Sequence, residues 1–346
     1  MAYEQAEAIR QIVDSATAIV IVQADNPDGD SLASALALEQ ILGDLGKQPY
    51  LYCGVDMPSY LTHMPGWDRV SRELPKQFDA SIIVDTGAES LLEQLTLSGQ
   101  KGWLKSKPSI VLDHHPTEAT IDWASVMCVQ PVVATGEVIY ELALQLGWPL
   151  SLEAKNMLAI SIMADSLGLS TPSTSARSIH IIAELVEGGV NIPELENRRR
   201  ELMKKSAELV RYKGKLLERI EYGADGRVAT IDIPWREIET YSPLYNPSML
   251  VIDEMRMVEG VAVAIAFKSY QDGKITAKIR CNYGYPVARE LAEHFGGGGH
   301  AYASGFKIQK TRPLNEVKSE CIEFARELLN NLDKEHSDET LQHTQP

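Results

Sequence analysis

Short apolar runs alternate with amphipathic, helix-length segments through the first half of the chain. The strand candidates lie near 18–23, 49–53, 80–84 and 109–112. The helix candidates lie near 30–45, 135–147, 152–164 and 176–188. Because strands that alternate with helices assemble into a parallel sheet, residues 1–190 are predicted to form an α/β domain with a mostly parallel sheet.

The pattern changes after residue 190. Residues 191–222 are charged and read as a connecting helix or helix pair. Strand-like segments return near 228–233, 261–267 and 275–280, and a helix is expected near 286–294. Residues 223–332 are therefore predicted to be a smaller α+β domain. The polar tail 333–346 is expected to be disordered, because it holds few apolar residues to bury.

Composition and charge narrow the class of protein. The 346 residues suit two domains, and a formal net charge of −15 argues against binding long duplex nucleic acid, which draws on many Lys and Arg contacts. The four cysteines form no CxxC pair, which favours a reducing compartment and disfavours a thiolate zinc site. Because neither a signal peptide nor a membrane-spanning run is evident, we expect a cytoplasmic protein without a membrane partner. The chain length and composition are compatible with a homodimer.

Acidic residues follow several of the apolar runs. Asp113-His114-His115 comes directly after the run that ends at Leu112. Further clusters follow other apolar runs: Asp28 with Asp30, Asp85, and Asp165. The carboxyl ends of parallel strands meet at one edge of the sheet, so these groups are expected to converge. Carboxylates that converge repel each other unless a cation neutralises them, and the pattern therefore predicts a metal site.

Each acidic motif also has a simpler interpretation. Asp28 lies in a Pro-Asp-Gly sequence that is typical of a surface turn capping the next helix. Asp85 could likewise cap a helix, and Asp165 could lie in the loop after one. Two histidines after an aspartate are harder to explain by packing. One imidazole is predicted to bind a metal, and the other to face a phosphate.

A second candidate site lies near the C-terminus. The run Gly296-Gly297-Gly298-Gly299-His300 exposes backbone amides that suit a phosphate, and His300 adds a donor. Arg280 is a candidate for a bidentate phosphate contact. The simpler interpretations are a glycine-rich linker, a buried histidine and a surface arginine. The basic run that begins at Arg198 is expected to be a solvated helix face.

Five motifs occur in an order that resembles the DHH phosphoesterase superfamily. They are Asn26-Pro27-Asp28-Gly29-Asp30, Val84-Asp85-Thr86-Gly87, Asp113-His114-His115, Ala164-Asp165-Ser166, and Gly296 to His300 through Gly305. The resemblance extends to about residue 330 and is strongest to the branch with a DHH-associated C-terminal domain. Within that branch the chain is similar to the nanoRNase-type, RecJ-related oligoribonucleases and pAp phosphatases.

The resemblance implies a two-ion manganese site, with Mg²⁺ as the alternative metal, in the cleft between the domains. One ion would be held by Asp30, Asp85, His114 and Asp165. The second would be held by Asp28 and Asp85. The residues implied to face the substrate are His115, Arg280, Gly297, Gly298, Gly299 and His300. The catalytic candidates are Asp85, His115 and Asp113.

The chain departs from this family at one position. A histidine normally stands two residues before the asparagine of the first motif, and here that position is Ala24. Alanine cannot bind a metal, so the second ion is expected to bind weakly unless Gln23 or Asp25 compensates.

The expected function is a metal-dependent phosphodiesterase that converts short single-stranded oligonucleotides or linear dinucleotides to nucleoside monophosphates. The alternatives are a 3′-phosphatase on adenosine 3′,5′-bisphosphate and a cyclic-dinucleotide phosphodiesterase. An alternative of another class is a nucleotide-binding regulatory protein that lost turnover through Ala24.

Overall fold

The computed structural model describes residues 3–115, 119–309 and 312–342, with side chains to Lys334. The chain divides into two compact units, an N-terminal unit of Met1–Lys204 and a C-terminal unit of Lys205–Pro346. The expected linker is a helix pair, and the boundary falls between its helices. Their bounds are α8 (Ile192–Met203) in the first unit and α9 (Ala207–Leu217) in the second.

The N-terminal unit is built on a five-stranded parallel sheet. Its strands are β1 (Ala18–Val22), β2 (Gln48–Tyr52), β3 (Ala80–Val84), β4 (Ser109–Asp113) and β5 (Val126–Val129). Their order is β2-β1-β3-β4-β5, and every neighbouring pair is parallel. The strand order reverses between β1 and β3. Ligands of such open sheets bind in the crevice beyond the strand ends at that reversal.

Helices cover both faces of this sheet. The further helices of the unit are α1 (Ala6–Ser15), α2 (Gly29–Asp44), α3 (Glu93–Leu97), α4 (Lys101–Lys105), α5 (Thr135–Leu146), α6 (Leu152–Asp165) and α7 (Ala176–Glu187). Its 3₁₀ helices are Ser59–Leu61, Trp67–Arg69 and Glu89–Leu92. Alternate strand residues such as Ile19 and Ile21 pack against α1, α2, α5, α6 and α7. The intervening residues, such as Val20 and Val22, pack under α3 and α4.

A close approach between α2 and α6 brings two acidic motifs together. A Cβ atom at Gly29 would lie only 2.8 Å from the Cβ of Ala164. Gly29 is the first residue of α2 and is absent from the described glycines with positive φ. Its role is therefore close packing. This contact places Asp30, at the start of α2, beside Asp165, at the end of α6.

The C-terminal unit is built on a six-stranded mixed sheet. Its strands are β6 (Glu221–Gly223), β7 (Val228–Ile233), β8 (Val263–Ser269), β9 (Ile275–Cys281), β10 (Gly298–Gly299) and β11 (Ala303–Ile308). Their order is β10-β11-β9-β8-β7-β6, and β7 with β8 is the parallel pair among antiparallel neighbours. The remaining helices are α10 (Trp235–Tyr241), α11 (Ile252–Arg256), α12 (Ala288–His294) and α13 (Leu314–Gln342), with a 3₁₀ helix at Pro247–Leu250.

Two apolar layers enclose this second sheet. One face packs against α12 and α13 through residues such as Ile265 and Phe267. The other face packs against α9, α10 and α11 through residues such as Ile231 and Ala266. The predicted fold class is thus confirmed: an α/β parallel-sheet unit is followed by a smaller unit with a mixed sheet.

Several details differ from the sequence predictions. The tail was expected to be disordered from residue 333, whereas α13 continues to Gln342 and only residues 343–346 of that tail lie outside the described residues. The apolar pattern also did not predict α1, β5 or β11. The four-residue β5 is only partly buried, so its apolar signal is short and weak. No helix in the described residues is long and apolar enough to cross a membrane.

Candidate metal centre and anion pocket

Asp30 is buried at the start of α2, and several hydrogen bonds hold its carboxylate in place. Its Oδ1 accepts hydrogen bonds from Ser161 Oγ at 2.5 Å and from Ser34 Oγ at 2.9 Å. Its Oδ2 accepts one from the backbone N–H of Thr135 at 2.7 Å. A buried carboxylate is costly unless such donors surround it. Helices α2, α5 and α6 thus meet at this single side chain.

Asp85 follows β3 in a left-handed backbone conformation, with φ of 62°. Aspartate tolerates this region better than most residues, and isolated strain of this kind is concentrated at functional sites. The hydroxyl of Thr135 donates to Asp85 Oδ1 at 3.0 Å. Burial, followed by the nearby charge of Asp30, raises the pKa of Asp85 well above its usual value. The protein therefore holds Asp85 where a negative charge is unfavourable without a compensating cation.

His114 faces three carboxylates. Its Nδ1 lies 3.2 Å from the carbonyl oxygen of Val132, and because a carbonyl can only accept, Nδ1 carries the proton of that hydrogen bond. The other nitrogen, Nε2, lies 3.2 Å from Asp165 Oδ2, 3.4 Å from Asp85 Oδ1 and 3.5 Å from Asp30 Oδ2. Nε2 is buried and makes no well-aligned hydrogen bond to the described residues. This orientation leaves Nε2 directed toward the acidic cluster.

The donor set fits a divalent cation. Asp30, His114 and Asp165 form one group, and Asp85, His114 and His115 form another, with the ligand atoms of each group within 4.8 Å of one another. Burial alone would lower the pKa of His114, but Asp165 and Asp85 raise it to about 11. The cluster thus attracts positive charge at Nε2, whether a proton or a metal supplies it. Oxygen and imidazole ligands suit Mn²⁺ and related ions.

Asp113 positions the two histidines. Its Oδ1 accepts hydrogen bonds from the backbone N–H of His114 at 2.8 Å and of His115 at 3.2 Å. The same oxygen accepts one from Nδ1 of the His115 ring at 2.7 Å. This contact raises the pKa of His115. Asp113 therefore fixes the turn after β4 and leaves Nε2 of His115 available to a ligand.

Asp28 belongs to neither ligand group among the described residues. Its Oδ1 accepts a hydrogen bond from Ser31 N at 3.0 Å and caps α2, as the simpler interpretation of its motif predicts. Asp165 is the last residue of α6, where the helix dipole disfavours a carboxylate. A bound cation would offset that penalty.

A separate pocket of about 440 Å³ lies within the C-terminal unit. Of the predicted substrate residues, Arg280, Gly298 and Gly299 line it. The other lining residues are Asn246, Ser248, Ala266, Lys268, Thr276, Ala277, Lys278, Ala303, Ser304 and Gly305. Its basic side chains come from β8 and β9, so the pocket suits an anion.

The remaining predicted residues of the glycine-rich run lie outside this lining. A Cβ atom at Gly297 would lie 2.3 Å from the carbonyl oxygen of Gly305, so the close approach to β11 by itself requires glycine there. Gly299, which does line the pocket, has a φ of 139°. A Cβ atom there would lie 2.7 Å from the carbonyl oxygen of Ala303 and from Cα of Ser304. His300 is exposed. The run is thus an ordered strand connection, and its interpretation as a linker is wrong.

Comparison with known proteins assigns both units. The DHH family, N-terminal domain, matches residues 18–168, and the DHHA1 domain matches residues 247–331. The chain belongs to the DHH family. One relative is the bifunctional oligoribonuclease and PAP phosphatase NrnA of Thermus thermophilus, which is 26% identical over 307 residues and 88% of each chain. The protein of the same name from Bacillus subtilis is 24% identical to this chain over 317 residues, which cover 88% of this chain and 95% of the relative.

A solved structure has the same fold as this DHH protein. The exopolyphosphatase-related protein of Bacteroides fragilis superposes with a TM-score of 0.81 at 21% identity, covering 95% of this chain and 98% of that chain.

The two neighbours of Ala24 in the DHH domain differ in whether their side chains already have hydrogen-bond partners. Ala24 is buried, and its carbonyl oxygen accepts a hydrogen bond from Cys53 Sγ at 3.2 Å. Asp25 is engaged elsewhere, because its Oδ2 accepts the backbone N–H of Gln94 at 2.8 Å. Gln23 is fully buried, and neither atom of its amide has a partner among the described residues. Asp25 thus serves local structure, whereas Gln23 keeps unused donors and acceptors.

Three residues of the DHH domain support the acidic cluster although no motif in the sequence marks them. They are Ser34, Thr135 and Ser161, and all are buried. A Cβ atom at Gly136 would lie 2.0 Å from Ser161 Oγ, so Gly136 lets α5 approach α6. A buried serine or threonine inside a helix is a weak signal, because such residues often bond to their own backbone.

Proposed function

We propose that this DHH protein is a divalent-metal-dependent phosphodiesterase that hydrolyses short oligonucleotides or linear dinucleotides to nucleoside monophosphates. Mn²⁺ is the proposed metal, with Mg²⁺ as the alternative. The observation that carries the proposal is His114 Nε2, which is buried and lies within 3.5 Å of three carboxylates. This nitrogen makes no well-aligned hydrogen bond to any described residue. The names of the curated relatives support this substrate class.

The proposed ligands of the first ion are Asp30, Asp85, His114 and Asp165, and those of the second are Asp28 and Asp85. The chemistry that divalent ions would supply is activation of a water and stabilisation of charge on the phosphoryl oxygens. Thr135, Ser34 and Ser161 hold the carboxylates in place through hydrogen bonds. Such supporting contacts commonly change metal affinity or activity by about 10–100-fold when they are removed.

The protein's own contribution to substrate binding comes from cations and backbone amides. Because Asp113 holds His115 through Nδ1, the opposite ring nitrogen is proposed to donate to a phosphoryl oxygen. Arg280, Gly298, Gly299 and His300 are proposed to bind the phosphate in the DHHA1 domain. In a protein with a net charge of −15, such local donors are expected to supply much of the affinity for an anion.

A 3′-phosphatase activity on adenosine 3′,5′-bisphosphate is the second candidate. It is favoured by the name of the relatives, which combines an oligoribonuclease with a PAP phosphatase. A regulatory nucleotide-binding protein without turnover is the candidate of another class, and Ala24 is the residue that favours it.

One assay separates these candidates. Purified protein with Mn²⁺ is incubated with a linear dinucleotide, adenosine 3′,5′-bisphosphate or a cyclic dinucleotide, and the products are resolved by chromatography. We expect nucleoside monophosphates from the linear dinucleotide. If only adenosine 3′,5′-bisphosphate is turned over, with release of inorganic phosphate, the result would favour the 3′-phosphatase. If only the cyclic dinucleotide is cleaved, the result would favour a cyclic-dinucleotide phosphodiesterase. Binding without turnover of any substrate would contradict the enzymatic proposal.

The number of metal sites is a separate test. Because Ala24 replaces an imidazole, calorimetric titration with Mn²⁺ should resolve one tight and one weak site. Ala24→His should strengthen the weak site, whereas Ala24→Phe adds a ring without a ligand and serves as the control. Two equally tight sites in the unaltered chain would show that another group, with Gln23 as the first candidate, replaces the histidine.

A further inference from the structure

Two leucines shortly after Asp165 have a backbone conformation that leucine rarely adopts. Leu167 and Leu169 have φ of 47° and 69°, and Gly168 between them has φ of 70°. A left-handed conformation brings the Cβ atom close to the following carbonyl oxygen, so it is unfavourable for leucine and ordinary for glycine. The segment 167–169 therefore carries backbone strain directly beyond α6.

Two hydrogen bonds show why the backbone becomes left-handed at Leu167. The N–H of Leu167 donates to the carbonyl oxygen of Ala164 at 3.2 Å, and the N–H of Gly168 donates to that of Met163 at 2.9 Å. These bonds end α6 in a Schellman motif, in which Leu167 occupies the left-handed position that helices usually give to glycine. The conformation thus has a structural cause, whereas the choice of leucine costs stability.

Packing compensates for the strain at one leucine but not at the other. Leu169 is partly buried and packs against the core of the N-terminal unit, and its N–H donates to Ser166 Oγ at 2.8 Å. Leu167 is 73% exposed, so its side chain gains little from burial in the folded chain. A glycine at this position would relieve the strain and expose less apolar surface. The side chain of Leu167 therefore suits a partner that the described residues do not supply.

Leu167 lies beside the acidic cluster. It is two residues from Asp165, whose Oδ2 lies 3.2 Å from His114 Nε2, and two residues of chain span at most about 7 Å. Ser166 between them is fully buried, and its carbonyl oxygen accepts a hydrogen bond from the N–H of Ser170 at 2.8 Å. These contacts hold the loop at the end of α6, so Leu167 has a fixed position at the edge of the metal centre.

We propose that Leu167 is a specificity-determining residue whose side chain packs against the base of a nucleotide bound at the metal centre. An aliphatic side chain cannot bind a phosphate, but it can bury apolar surface, and the faces of the base are the largest apolar surface of a nucleotide. The inference rests on the proposed function for the presence of a nucleotide. It adds a preference for ligands with a base over sugar phosphates of the same charge.

The test compares AMP with ribose 5-phosphate, which has the same phosphate and sugar but no base. In calorimetric titrations of the full chain loaded with Mn²⁺, we expect the unaltered protein to bind AMP about tenfold more tightly. Leu167→Ala keeps the Cβ atom but removes the rest of the side chain, so it should weaken AMP binding about 3–10-fold and leave ribose 5-phosphate unaffected. Leu97→Ala, at a leucine of α3 that is 69% exposed, is the matched control and should change neither affinity.

Three results of these titrations would overturn the proposal. The first is an unchanged AMP affinity in Leu167→Ala. The second is an equal loss for AMP and ribose 5-phosphate, because a disturbed metal centre would explain it. The third is an unaltered protein that does not bind AMP or that binds both ligands equally.

Thermal unfolding of the metal-free protein gives a readout that does not depend on ligand or activity. Leu167→Gly relieves the left-handed strain, so its Tm should equal or exceed that of the unaltered protein, while its AMP affinity falls as in Leu167→Ala. Leu169→Ala removes a packed side chain from the same loop and should lower the Tm. A lower Tm in Leu167→Gly would show that Leu167 serves stability and would contradict the proposal.

The proposed function and this contact can fail separately. If linear dinucleotides are not hydrolysed but AMP affinity depends on Leu167 as described, the proposed function fails and the contact stands. If dinucleotides are hydrolysed with the same KM by the unaltered protein and by Leu167→Ala, the contact fails and the proposed function stands.

Discussion

The DHH and DHHA1 domains concentrate opposite charges in similar ways. In the first, Asp30, Asp85 and Asp165 surround a single imidazole nitrogen. In the second, Lys268, Lys278 and Arg280 share one sheet face and line one pocket. Asp253 raises the pKa of Lys278 and Arg280, but none of the three cations forms a salt bridge with a described residue. Each cluster would be unfavourable alone, because like charges in a partly buried place repel each other. The difference in sign indicates that one cluster is built for a cation and the other for an anion.

The two clusters also differ in how they are supported. Hydrogen bonds from several helices hold the acidic side chains, including those from Thr135 and Ser161. The basic side chains are long and rest on strands, and each donates a single hydrogen bond, to Asn246, Met249 or the backbone of Ile279. In the DHH domain, activity should therefore depend strongly on the exact position of the carboxylates. In the DHHA1 domain, it should depend more on the positive charge of the side chains than on their exact position.

The strongest test of the acidic cluster is Asp85→Asn, which removes a charge with little change of shape. We expect kcat for dinucleotide hydrolysis to fall roughly 1,000-fold, equal to about 4 kcal/mol of lost transition-state stabilisation. Asp56→Asn is the matched control, since the side chain of Asp56 is 86% exposed. Near-normal activity in a folded Asp85→Asn protein would remove Asp85 from the mechanism.

The corresponding test of the basic cluster is Arg280→Ala. Loss of a charge-assisted contact should raise KM for dinucleotides about 10–100-fold, while Mn²⁺ binding measured by calorimetry stays the same. Arg280→Lys should recover part of the loss, because it restores the charge without the bidentate geometry. Arg289→Ala, at an exposed position of α12, is the control. A change in metal affinity on Arg280→Ala would contradict the assignment of separate tasks to the two clusters.

A smaller effect is expected from the support of the acidic cluster. Thr135→Val removes the hydroxyl that bonds Asp85 but keeps the backbone N–H that bonds Asp30. Activity and Mn²⁺ affinity should each fall about tenfold. Thr240→Val removes a hydroxyl that bonds only its own helix backbone, and it should change neither. If both variants behave alike, Thr135 does not position the carboxylate.

The smallest effect should follow changes to charges outside both clusters. Arg200 on α8 pairs with Glu196 at an exposed position, as expected for a solvated helix face. Arg200→Gln should change the free energy of unfolding by less than about 0.5 kcal/mol and leave hydrolysis unaltered. A large loss of activity would point to a third charged region with a role in function.

Much of the acidic cluster could be predicted from sequence, because its residues directly follow apolar runs that are recognisable as buried strands. Asp85 and Asp113 lie at the ends of buried parallel strands, where topology brings loops together. The support from Thr135 and Ser161 could not be predicted, since it depends on the approach of α5 and α6 to α2. That approach depends on small residues at contacts that are distant in sequence, such as Gly29 with Ala164.

The sequence by itself determined the alternation of strands and helices, the positions of the acidic loops and the glycine-rich run. These features follow from local periodicity and from residues that favour turns, so neighbouring residues suffice to reveal them. The sequence offered helix capping as one of two interpretations of Asp28, and the tertiary structure showed that cap. Only the tertiary structure decided that Gly297 serves close strand packing and that Lys268 and Lys278 join Arg280. Strand register brings those cations onto one face, and register depends on pairing between residues that the sequence separates.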